Sequence, residues 1–242
     1  MKTSVGSIFI SVAIIIASFL IGNAVIERNS NEDVVWVKGL GKTNFTSDLI
    51  VWEGSFTRKN INLQNAYQQL DKDRAIIKEY LKTKGIKSEE LVFQAVNINK
   101  QYVYTYNQNG QSNRIFDGYQ LEQSIKIESL EVDKIENISR QVTDLINKGV
   151  EFNSRAPQYY FSGLSDLKLE MIAAATEDAR LRAEKIALNA NSTLGDLKNA
   201  RMGVFQITAQ NSNDDYSWGG SYNTGSKKKT ASITMTLEYN LN

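Results

Sequence analysis

The sequence predicts an α+β fold in which antiparallel strand pairs alternate with helices packed on them, behind one hydrophobic N-terminal segment. Three observations lead there. Short runs rich in β-branched and aromatic residues alternate with period two, three longer stretches repeat apolar residues at helical spacing, and the chain opens on an uncharged run from Thr3 to Ile26.

The opening run follows Lys2 and ends at the charged cluster Glu27, Arg28, Glu32 and Asp33. About 20 apolar residues suffice to cross the hydrocarbon core, which favours a retained single-pass anchor over residues 3–26. Gly22 and Ala24 also fit the small-residue rule for cleavage after Ala24, so a cut signal, leaving a secreted or periplasmic product, is the alternative. Lys2 keeps the amino terminus cytoplasmic under the positive-inside rule, which sends the chain after Arg28 outside. The expected division is an anchor or signal over residues 1–28, an Asn-rich linker over 29–33, and one domain over 34–242.

Within that domain Val34–Leu40 and Leu49–Thr57 read as a strand pair joined by a Gly- and Thr-containing turn. Asn62 precedes a helix whose face carries Leu63, Ala66, Leu70, Ile77 and Leu81, stopped by Gly85. Leu91–Tyr106 and Gly118–Ser129 form a long hairpin with a polar tip at 107–113, and 133–148 forms a second helix ending at Gly149. Short strands follow near Val150–Asn153 and Gln158–Ser162. The third helix, about Asp166–Ala190, places Ala175, Ala179, Ala183 and Ala187 four residues apart, a stripe that lets a neighbouring backbone approach closely. Strands at Val204–Thr208 and Thr230–Asn240 complete the domain, and the Ser/Asn/Gly-rich tract 211–229 between them reads as a mobile loop.

The chain contains neither histidine nor cysteine. Imidazole relays, thiolate nucleophiles and the usual zinc, haem and iron–sulfur ligands are therefore excluded, as are disulfides and cysteine-borne lipids. Lys+Arg at 28 against Asp+Glu at 27 gives no excess for a polyanion, so no nucleic-acid partner is expected. Gly39-Leu40-Gly41-Lys42-Thr43 imitates the end of a phosphate loop, but Trp36 stands where its first glycine belongs, and a strand turn is the better reading. Lys227, Lys228 and Lys229 read as a solvated charge run guarding an edge strand. The carboxylate neighbours Asp71 and Asp73, Glu89 and Glu90, and Asp214 and Asp215 lack the geometry of a hydrolytic pair or a metal cage. No catalytic residue, cofactor or metal is assigned. Tyr102, Tyr104 and Tyr106 share one face of the hairpin arm, where they either cover sheet and core or form a protein interface.

Val35-Trp36-Val37-Lys38-Gly39-Leu40-Gly41, Asp117-Gly118-Tyr119, Gly149-Val150-Glu151-Phe152 and the alanine helix followed by Leu194-Gly195 together resemble the SIMPL-domain family, over about Val34–Thr208. The resemblance implies an exported α+β domain of antiparallel strands with helices on them. It also implies a tendency to homo-oligomerise, a link to oxidative or envelope stress, and no established chemistry. The expectation is a membrane-anchored, non-enzymatic envelope protein that self-associates as a scaffold or interaction module. A binding module for a small ligand or cell-wall component is the alternative, with carboxylate-based hydrolysis a distant third. Any partner besides a second copy is unknown.

Overall fold

The computed structural model describes residues 3–29, 33–106, 112–214 and 217–242, with the side chains of the first helix described over 9–23. In chain order the elements are α1 (Thr3–Asn29), β1 (Val34–Thr46), β2 (Leu49–Asn60), α2 (Leu63–Thr83), β3 (Leu91–Phe93), β4 (Asn97–Tyr106), β5 (Ser112–Ser129), α3 (Val132–Gln141), β6 (Phe152–Ser154), β7 (Gln158–Tyr160), α4 (Leu164–Asn189), β8 (Leu194–Met202), β9 (Gln206–Ala209), β10 (Ser221–Tyr222) and β11 (Lys228–Leu241). The fold is α+β: β5 runs antiparallel to β2, β3 and β4, β11 runs antiparallel to β8 and β9, and β9 with β10 is parallel. Contacts divide the chain into two compact units: residues 1–40, 175–203 and 234–242, and residues 41–174 and 204–233.

In the first unit most of the described side chains of α1 are apolar and exposed, Phe9, Ile10, Ile15, Phe19 and Ile21 among them, with Ser11, Ser18 and Asn23 as the polar exceptions. Among the described residues no helix is long and apolar enough to cross a membrane; the expected span over 3–26 lies partly outside the described side chains. Strand β1 alternates, burying Val35, Val37 and Gly39 and exposing Trp36, Lys38 and Leu40. The C-terminal part of α4 lies on this face, with Ala175, Ala179, Ala183 and Ala187 all buried. The approach is as close as backbone allows: a Cβ built on Gly39 would stand 2.1 Å from the Ala175 carbonyl oxygen and 2.4 Å from the Ala179 nitrogen. Asp178 accepts the Leu40 N–H at 2.8 Å, and that bond, followed by Arg182, holds its carboxyl below the usual aspartate range. This contact explains why Gly39-Leu40-Gly41 is not a turn. The strand continues to Thr46, and the chain reverses at Ser47 and Asp48 instead.

In the second unit β5 pairs with β2 from Ser129 to Tyr119, β3 and β4 pair with the other edge of β5, and β6 and β7 pair with β2. Helices α2 and α3 cover this sheet, burying Ile50, Trp52, Phe56, Leu70, Ile77, Leu121, Ile125 and Ile135 in one cluster. Asn62 caps α2, its Oδ1 accepting the N–H groups of Gln64 and Asn65 at 2.9 and 3.1 Å. Arg58 grips the buried Asp73 of α2 with Nη2 at 2.8 Å as well as Nε, and reaches the Gly149 carbonyl at 2.7 Å.

Several elements depart from the sequence reading. The strand expected over Leu91–Tyr106 is two, β3 and β4, and β5 starts at Ser112 instead of Gly118. The second helix tightens into a 3-10 segment over Val142–Lys148. Strand β8 was not expected. It pairs with β11 alone and exposes most of its side chains, so no period-two apolar pattern is required of it. The tract 211–229 holds β10 and a dense set of bonds, and Lys229 at its end is fully buried, its ammonium donating to the Tyr159 carbonyl at 2.7 Å and to that of Asn223. A solvated charge run is therefore the wrong description of Lys229. The tip residues 107–111, with Asp215 and Tyr216, lie outside the described residues.

Candidate functional site

The most distinctive surface of the second unit begins where β2 stops pairing at Asn60. Strand β5 continues beyond that point with only β4 beside it, from Phe116 opposite Tyr102 to Ser112 opposite Tyr106. The departure is marked by an irregularity between Gln101 and Tyr102 and by Gly118 at φ +111, where a Cβ would come within 2.8 Å of the Asn60 carbonyl oxygen. An ion pair from Lys59 to Asp117 fixes the base. The result is a two-stranded arm, an arrangement that is marginal in water on its own.

Register places Lys100, Tyr102, Tyr104 and Tyr106 of β4 beside Tyr119, Phe116, Arg114 and Ser112 of β5. The side chains form a ladder: Tyr119 meets Phe116 edge to face at 5.1 Å, Phe116 meets Tyr102 at 5.8 Å, and the Arg114 guanidinium lies 3.5 Å from the centre of the Tyr102 ring. Tyr102 is half-buried in this stack, whereas Tyr104 and Tyr106 are 58% and 75% exposed. Below the ladder an open groove of about 620 Å³ is lined by Ile61, Leu63 and Tyr67 at the start of α2 and by Ile98, Tyr119 and Leu121. Ile61 and Ile98 are 65% and 51% exposed, and Tyr119 joins the ladder to the groove, whose lining also includes Asn62 and Gln64. The tyrosine spacing signalled the arm; the groove depends on α2 starting beside β5, which spacing does not carry.

Several other residues singled out by sequence have structural partners. The alanine stripe is committed to Gly39 within the first unit. Asp71 pairs with Arg74, Asp73 with Arg58, Glu90 with Ser129, and Asp214 with the Ala209 N–H and Asn223. Among the described residues no group of three or more carboxylates could hold a metal ion.

The sequence model of a family described as SIMPL, protein of unknown function, matches residues 35–239. The match extends past Thr208, through the tract 211–229 and most of β11. A comparison with curated proteins finds no match.

Proposed function

We propose that the chain, which belongs to the SIMPL family, is an exported, membrane-anchored, non-enzymatic module that self-associates through the β4–β5 arm and serves the envelope as a scaffold. One observation carries this reading: a two-stranded arm, whose β4 has no strand on its outer edge among the described residues, bears tyrosines exposed at its end. Unpaired edges and exposed rings are both satisfied by a second copy of the same arm, and a two-fold contact of identical strands closes without leaving a new edge. Tyrosine and arginine are the residue types that anchor such contacts. Anchoring is supported by α1, whose described side chains are mostly apolar and uncovered, and the non-enzymatic reading by the missing histidine and cysteine.

The natural lack of cysteine supplies the test. Single cysteines placed in turn at positions 102 to 106 of the full chain are oxidised in whole cells, with Gln68→Cys on the exposed face of α2 as control. A disulfide-linked dimer peaking within the arm and absent at the control is expected; monomer at all five arm positions would contradict the interface.

A further inference from the structure

The turn from Ser217 to Tyr222 is held more firmly than its Ser/Asn/Gly-rich sequence suggests. The Gln206 side chain donates to the Ser217 carbonyl at 2.7 Å and accepts the Ser217 N–H at 3.3 Å. The Gly220 N–H returns to the Ser217 carbonyl at 3.0 Å, and Gly220 sits at φ +95, where a Cβ would meet the Phe205 carbonyl at 3.0 Å. On this pinned turn Trp218 is 99% exposed. A ring so exposed adds nothing to packing, yet it is the side chain with most area to gain when something covers it.

Next to Trp218, Gly219 opens onto a cavity of about 420 Å³ lined by Leu164, Lys168, Val204, Phe205, Ile207 and Tyr222. The size lies in the range of small-molecule sites, roughly 300 to 1,000 Å³. Its walls are mainly apolar and aromatic, and one cation lines it: Lys168 Nζ is 5.6 Å from the centre of Phe205, whereas Lys229, 5.5 Å from the centre of Tyr222, is buried and held by the Tyr159 and Asn223 carbonyls. No carboxylate is among the lining residues. Rings select a flat apolar body, and a lysine without a counter-charge in the lining selects an anion over its neutral counterpart.

We propose that this cavity binds a small aromatic anion, an aryl carboxylate or sulfonate whose ring lies between Phe205 and Tyr222 with its charge beside Lys168, at the foot of the turn that carries Trp218. The site is independent of the arm, so it stands or falls without the scaffold reading.

The test uses the full chain, isothermal titration calorimetry, and two probes of the same shape, 2-naphthoate and neutral 2-naphthamide. The naphthoate is expected to bind one to one and about tenfold more tightly than the amide, the scale of one charge-assisted contact. Lys168→Met keeps the apolar stem and removes the charge, so it should bring the naphthoate down to the amide and leave the amide unchanged. Tyr222→Ala removes a lining ring and should weaken both. Equal affinity of the two probes for the native chain, indifference of naphthoate binding to Lys168→Met, or no binding up to millimolar probe would each overturn the assignment.

Discussion

Replacing Gly39 by alanine should destabilise the chain by about 2 kcal/mol, although alanine is the better residue for an ordinary strand. A Cβ there would lie 2.1 Å from the Ala175 oxygen, 2.4 Å from the Ala179 nitrogen and 2.7 Å from the Ala179 Cβ. Favourable contacts between such atoms begin near 3.5 Å, so α4 must retreat by about 1 Å or more. The two nearest obstacles are backbone, and no rotamer change relieves them. Overpacking of this kind costs about 1 to 3 kcal/mol, and the rigid obstacle puts Gly39 at the upper end. Against it stands a gain of about 0.4 to 1 kcal/mol from the less flexible unfolded chain. A net loss near 2 kcal/mol corresponds to a fall in Tm of about 4 to 8 °C at this chain length. Gly219→Ala is the control, because a Cβ at Gly219 meets nothing within 4 Å, and a change within about 0.5 kcal/mol is expected. Urea and thermal unfolding followed by circular dichroism read both. If Gly39→Ala and Gly219→Ala unfold together, the close packing of the alanine stripe on β1 is wrong.

Other changes test the remaining supports. Asp73→Ala should cost about 1 to 3 kcal/mol in urea unfolding, since it strips a buried partner from Arg58 while that guanidinium keeps water and the Gly149 carbonyl; Asp73→Asn should cost less. Burial lowers the Lys229 ammonium to about 8. The unfolded chain therefore holds a proton that the folded chain releases between about pH 8 and lysine's ordinary value near 10.4, and stability relative to Lys229→Met should rise with pH across that window. A flat difference would contradict the buried placement. Protease added to intact cells should reach the chain beyond Arg28, and N-terminal sequencing should find Met1 or Lys2; a mature terminus at Val25 would replace the anchor by a cleaved signal.

Much of this architecture is legible wherever one face of an element is buried. The α2 stripe, the four alanines and the alternation of β11 all announce a covered face, and each lies against a core apart from Leu63 at the start of α2, which is exposed. What is lost are features that depend on which elements meet. Gly39-Leu40-Gly41 and the alanine helix are separate signals in the sequence, and only the meeting of residues 138 apart, as in the bond from Leu40 to Asp178, turns an apparent glycine turn into a contact seam. Strand β8 goes unseen because an exposed strand paired on one edge needs no apolar pattern. Lys229 reads as a surface charge because one of its two carbonyl acceptors comes from Tyr159, 70 residues away, and the other from Asn223 only once the tract folds back. The arm tyrosines were legible from their spacing of two, whereas the groove lined by Ile61, Leu63 and Tyr67 and the cavity beside Trp218 exist only in the folded chain.

The central claim, self-association through the arm, is tested most directly by the mass of the full chain in neutral detergent, measured by light scattering with detergent mass subtracted at tens of micromolar protein, where a micromolar dissociation constant is visible. The chain is 27.2 kDa, and a mass of at least twice that is expected. With Tyr102, Tyr104 and Tyr106 all changed to serine, the mass should fall towards 27.2 kDa while the far-ultraviolet circular dichroism stays nearly unchanged. A native chain of 27.2 kDa, or a triple variant with undiminished mass, would contradict it.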